Sequence, residues 1–164
     1  MRKKDPFIHS LIYWGIRVLS FPIQFMPYSW IHRIGRFLGS ISYYMAKKHR
    51  KIAFNNLSLA KNLNLSEKEM KRVAKGSFQN LQITALEYLR LKRSRYKISD
   101  FVSKEVSQAF IDSCKNGTGM ISVTGHIANW ELCFLDHTQH YPCTAIGRPI
   151  KNKKLYSFIN SIRM

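Results

Sequence analysis

A chain of 164 residues, 45% of them apolar, is long enough to bury a core, and 27 Lys plus Arg against 9 Asp plus Glu leave a formal charge of +18. That excess favours anionic partners: phospholipid headgroups, phosphorylated glycolipids, nucleic acid or an acidic carrier protein. The odd number of cysteines, Cys114, Cys133 and Cys143, excludes a fully paired disulfide framework and reads as buried thiols in a reducing compartment.

The first stretch is apolar and aromatic, with Phe7, Leu11, Tyr13, Trp14, Leu19, Phe21 and Phe25 among its residues. No acidic residue occurs between Asp5 and Glu67, whereas Arg17, Arg33, Arg36, Lys47, Lys48, Arg50, Lys51 and Lys61 do. A nucleic-acid-binding arm has no need of such an apolar inventory, so nucleic acid is disfavoured and anionic membrane lipids are favoured. A clean span wants about 20 predominantly apolar residues, and Arg17, Pro22, Gln24 and Pro27 interrupt this one. Residues 1–45 are therefore expected to form a hydrophobic and basic anchoring leader of interfacial or re-entrant type. Pro27-Tyr28-Ser29-Trp30 lacks the small-residue pattern of a cleaved signal peptide.

Ser66 and Glu69 make a capping box ahead of Met70, Val73, Ala74, Phe78, Leu81, Ala85 and Leu89, spaced three or four apart, which predicts a long amphipathic helix. Arg90, Lys92, Arg93, Arg95 and Lys97 read as its solvated end and loop. Val106, Phe110, Ile111 and Cys114 predict a further helix ending near Asn116-Gly117. The apolar run Met120 to Thr124 predicts a strand, Asn129 to about His137 a helix, and Cys143 to Ile146 a second strand before a basic loop. The expected architecture is an α/β domain over residues 46–164 preceded by membrane-associated helices.

Gly125-His126-Ile127-Ala128-Asn129-Trp130-Glu131 carries the chemistry. Histidine takes a proton near neutral pH, and a carboxylate on its second ring nitrogen fixes the tautomer and stabilises the imidazolium. Five residues turn about 500° on a helix, which leaves the side chains about 140° apart, so His126 and Glu131 cannot meet along one face. His126 is expected in the turn before the helix, with Gly125 relieving the backbone and Glu131 in the first turns after it. The blander alternatives are a structural histidine, and a glutamate that only favours the helix N-terminus. Trp130 reads as a packing residue and Asn129 as a cap or orienter of the turn. Cys133 sits within the predicted helix, a poor setting for a reactive thiolate. His137 and His140 lack a second ligand cluster, so no metal is expected.

This segment resembles the H-x-x-x-x-[D/E] motif of glycerolipid-type acyltransferases, and its form GHxxNWE resembles that of the bacterial lipid A late acyltransferases. Ala46 to Leu91, with basic residues before Asn56-Leu57 and a long helix bearing Glu87, is similar to the family's upstream region. Gly147-Arg148-Pro149, with Lys151, Asn152 and Arg163, is similar to its basic downstream segment. The resemblance implies transfer of a fatty acyl group from acyl carrier protein to a hydroxyl of a phosphorylated lipid A precursor, in lipopolysaccharide or lipooligosaccharide biosynthesis. His126 is then the general base and Glu131 its orienter. Arg148 and Asn129 are the substrate-binding candidates, Arg148 for an acceptor phosphate or the developing oxyanion. No cofactor is implied. The location implied is the cytoplasmic face of the bacterial inner membrane. Members of the family continue past the second predicted strand, so the chain reads as an N-terminal fragment or truncated member with an incomplete core. The alternative reading is a noncatalytic basic membrane-binding remnant.

Overall fold

The computed structural model describes residues 6–94, 98, 102, 107–121, 123, 125, 129–146 and 150–163. They divide into two compact units, residues 25–89 and residues 1–24 with 90–164.

In the unit of residues 25–89, α2 (Tyr28–Met45) follows Pro27, and α3 (Lys47–Leu59) follows Ala46. A 3₁₀ turn (Lys61–Leu63) then leads to α4 (Glu67–Ser94), which lies in this unit through Leu89. The buried residues of α2 are Ile31, Gly35, Gly39 and Tyr43, one every four positions and hence one stripe along the helix. That stripe lies antiparallel on α4. A Cβ at Gly35 would fall 2.6 Å from Ile83 Cγ1, and one at Gly39 only 2.3 Å from Gln79 Cα, so both glycines are what let the backbones approach. Polar and aromatic contacts close the pair at either end. Tyr43 meets the Phe78 ring edge-on at 5.7 Å, and Gln79 Nε2 donates to Ser40 Oγ at 2.9 Å. At the far end the buried Glu87 carboxylate accepts from the Tyr28 hydroxyl and lies 3.1 Å from His32 Nε2.

The start of α4 is the capping box read from the sequence. Ser66 N donates to Glu69 Oε2 at 2.8 Å while Glu69 N donates to Ser66 Oγ at 3.4 Å, so two otherwise orphaned amides are satisfied reciprocally. The predicted apolar face of this helix is only partly the packed one. Ala74 is buried, whereas Leu81 is 64% exposed, because Gly35 and Gly39 bring α2 onto the side that bears Gln79 and Ile83.

The other unit holds α1 (Pro6–Ile23), α5 (Gln108–Asn116), α6 (Trp130–His140) and α7 (Lys153–Arg163). Asn152 joins α1 to α7: its Oδ1 accepts from Leu155 N at 3.2 Å, capping α7, and its Nδ2 donates to His9 O at 2.8 Å. Tyr13 meets Phe158 edge-on, Arg17 lies over the same ring at 5.1 Å, and Lys154 Nζ donates to Ser10 Oγ. Phe110 of α5 packs edge-on against His137 of α6 and Tyr141 just beyond it. Leu135, Phe158 and Ile162 are the buried apolar residues of α6 and α7. Gly117 ends α5 in the left-handed region at φ 67°, as a glycine after the last helical turn does.

The expectation of an α/β core behind membrane-associated helices is corrected. All regular structure among the described residues is helical. Of the first predicted strand, Met120, Ile121 and Val123 are described and form no strand, with Ile121 and Val123 over 90% exposed. Cys143 to Ile146 likewise forms no strand. Among the described residues no helix is long and apolar enough to cross a membrane. Polar and glycine positions dilute α1, which carries His9, Ser10, Gly15, Arg17 and Ser20, and α2 turns its Ile31–Tyr43 stripe toward α4. The expected burial of the three cysteines is corrected: Cys114, Cys133 and Cys143 are all exposed.

Candidate active site

The second half of the motif is the start of α6. Asn129 occupies the N-cap position with φ −94° and ψ 71°, and its carbonyl accepts from Leu132 N at 3.1 Å, while its side chain closes no cap hydrogen bond. Of the two roles read from the sequence, cap or orienter of the turn, the side-chain cap is not formed. Trp130 is half-buried in the first turn. Glu131 follows it, on the turn where the helix dipole favours a carboxylate. Gly125 is exposed ahead of the helix, and His126 lies outside the described residues.

Glu131 has a partner that the motif does not name. Arg163, in the last turn of α7, reaches it with two prongs: Nε donates to Oε2 at 3.1 Å and Nη2 donates to Oε1. The Glu131 side chain is 12% exposed and that of Arg163 37%, so this ion pair is largely shielded on the acid's side. A planar fork on both oxygens fixes the carboxylate rotamer as a single point contact would not. A carboxylate has lone pairs to spare after accepting two such bonds, so Glu131 can still accept from a further donor. The sequence groups Arg163 with the other downstream basic residues; its pairing with Glu131, 32 positions earlier, has no local sequence signal.

Arg148 lies outside the described residues, while Lys151 is exposed and Asn152 is the buried cap of α7. Cys133 is exposed two residues after Glu131. His140 Nε2 lies 3.8 Å from Oδ1 of the buried Asp136, and His137 faces the Phe110 ring. No group of three or more potential metal ligands occurs among the described residues. Along α7 and α1, Tyr13, Trp14, Arg17, Lys154, Ser157, Phe158 and Ser161 line a cleft of about 420 Å³ that combines aromatic rings with two cations.

Comparison with known proteins supplies the class. The model of the family described as bacterial lipid A biosynthesis acyltransferase matches residues 1–164. The protein is an acyltransferase that acts on lipid A precursors. The chain belongs to the bacterial lipid A biosynthesis acyltransferase family. No curated protein and no solved structure matches it.

Proposed function

We propose that the reaction is O-acylation: a fatty acyl group passes from an acyl carrier protein thioester to a hydroxyl of a phosphorylated lipid A precursor. His126 removes the hydroxyl proton as the oxygen attacks the thioester carbonyl, and Glu131 orients the imidazole and stabilises its protonated form. The acceptor supplies the nucleophile, so no covalent acyl-enzyme is formed. Arg148 binds an acceptor phosphate or the developing oxyanion, and Asn129 contributes at the same turn. The acceptor is a lipid, which sets the work at a bilayer surface, here the cytoplasmic face of the bacterial inner membrane with its anionic lipids.

The observation that carries this reading is the family match over residues 1–164, joined to a Glu131 carboxylate held by Arg163 at the start of α6. An orienting acid is useful only if it is itself held. The test is transfer from an acyl carrier protein thioester to a lipid A precursor by the wild type and by His126→Ala. General-base help is worth about 10² to 10⁴ in rate, so a loss of that size is expected in a variant with unchanged circular dichroism. Wild-type turnover by His126→Ala removes His126 from the role of base.

A further inference from the structure

Within the unit of residues 25–89 a second concavity gathers cations and aromatic rings. Arg50 and Phe54 of α3, Tyr43 and Tyr44 at the end of α2, Ser66 just before α4, and Lys68, Glu69, Lys71, Arg72 and Lys75 of α4 line a groove of about 970 Å³. The four cations of α4, at positions 68, 71, 72 and 75, fall on one helix face over about 10 Å, two turns. Only Lys68 lies in the first turn of α4, where the helix dipole disfavours positive charge; Lys71, Arg72 and Lys75 follow in the next two turns. The acids that belong at this end are already engaged: Glu69 with Ser66, and Glu67 with Lys71. Lys75 lies over the Tyr44 ring at 5.5 Å and Arg50 over Tyr43 at 5.4 Å, which positions cations beside an aromatic lining instead of beside carboxylates. Neither Lys68 nor Arg72 has a carboxylate within ion-pair distance among the described residues. Lys68 and Arg72, cations without an ion pair of their own among the described residues and beside an aromatic lining, suit an acidic partner.

We propose that this α2–α3–α4 groove docks an acidic amphipathic helix of a partner protein, its carboxylates at three- and four-residue spacing against the α4 cations and its apolar side chains against Tyr43, Tyr44 and Phe54. A concave groove with cations on two helices suits an inserted helix better than a flat bilayer, and it is far larger than a single phosphate needs. Under the proposed function this partner is the acidic acyl carrier, so that identification rests on the donor assigned above; the groove and the kind of partner do not.

The full chain is tested as wild type and as Lys68→Glu/Arg72→Glu/Lys75→Glu, with circular dichroism checking that α4 stays folded. Lys68→Ala/Arg72→Ala/Lys75→Ala guards against repulsion alone. The probe is purified acyl-loaded acyl carrier protein, with binding measured by titration calorimetry across a salt series. Charge reversal should weaken binding about tenfold or more and flatten its salt dependence, with the alanine variant between the two. Equal binding by wild type and variants overturns the groove, as does loss confined to anionic phospholipid vesicles, which would assign the cations to lipid. Transfer from a carrier-free acyl thioester separates the two ideas. Binding through the groove without any transfer removes the donor reading and leaves the docking surface, whereas transfer with unaltered carrier binding leaves the donor and removes the groove.

Discussion

The Glu131 carboxylate and the Arg163 guanidinium join the first turn of α6 to the last turn of α7 through two parallel hydrogen bonds. Each group sits where its helix's dipole favours it, the acid at an N-terminus and the cation at a C-terminus. The pair thus couples the acid of the motif to a helix that begins more than 20 residues later, and it makes α7 part of the site's scaffold.

Arg163→Ala should therefore reduce acyl transfer by about 10²-fold, the scale on which misplacing a reacting group by about 1 Å acts. Arg163→Lys should recover little of it, because an ammonium supplies a charge without the fork. Steady-state kinetics with both substrates, set beside urea unfolding, separates positioning from stability. Retention of wild-type kcat by a folded Arg163→Lys would show that charge alone suffices.

How far the site and the fold could be read in advance follows the range of each interaction. The capping box of Ser66 and Glu69, the termination of α5 at Gly117 and the start of α6 near Trp130 are all local, and all were legible. Strands need partners. The run from Met120 has β-forming residues, yet Ile121 and Val123 stand exposed with no ladder formed by described residues, and a short apolar run carries no information about whether a neighbour exists. The Glu131–Arg163 pair and the seating of Gly35 and Gly39 on α4 are equally nonlocal. His126 and Arg148 carry the sequence argument for catalysis and lie outside the described residues.

The close approach of α2 and α4 gives a sharp contrast between two glycine substitutions. A Cβ at Gly39 meets Gln79 Cα at 2.3 Å and Phe78 O at 2.7 Å, backbone atoms that cannot swing away. Gly39→Ala should cost about 1–3 kcal/mol or more through forced separation of the helices. Gly76, inside α4, has nothing within 4 Å of its would-be Cβ. Gly76→Ala should stabilise by about 0.5–1 kcal/mol, since alanine restricts the unfolded chain and favours the helix. Chemical denaturation of both variants checks the sign of each effect, and two destabilised proteins would refute the packing assignment.

The head of α4 should be sensitive to acid. Hydrogen bonds from Ser66 hold the Glu69 carboxyl below its ordinary value of 4.5, and the hydrogen bond and charge of Lys71 hold Glu67 below it too. A depressed carboxyl contributes stability that is present above its unfolded value and is lost as pH falls through the lower folded value. The same Glu67 contact raises Lys71 above 10.5, a contribution present below that value and lost as pH rises through the raised one. Between these limits the helix start is at its firmest. Ser66→Ala should cost about 1 kcal/mol at neutral pH, as loss of a serine N-cap does, and should lessen the difference between unfolding curves at neutral and acid pH. An unchanged difference would mean that the cap does not govern the acid response.

At the opposite end of the α2–α4 pair, the Tyr28 hydroxyl and His32 Nε2 converge on one carboxylate oxygen of the buried Glu87. Two donors on one oxygen make an interdependent set, so its members should not contribute additively. Tyr28→Phe removes a hydroxyl and leaves the ring, and Glu87→Gln keeps the shape while removing the negative charge. Each single change should cost about 1–3 kcal/mol, the range for disturbing a buried hydrogen bond to a charged group. The double variant should cost less than the sum by about 1 kcal/mol, because the second substitution removes a bond that the first has already broken. Urea unfolding of the four proteins in this cycle measures the coupling directly; additive losses would mean that Tyr28 and Glu87 stabilise the unit independently and that the contact is incidental to how α2 is held on α4.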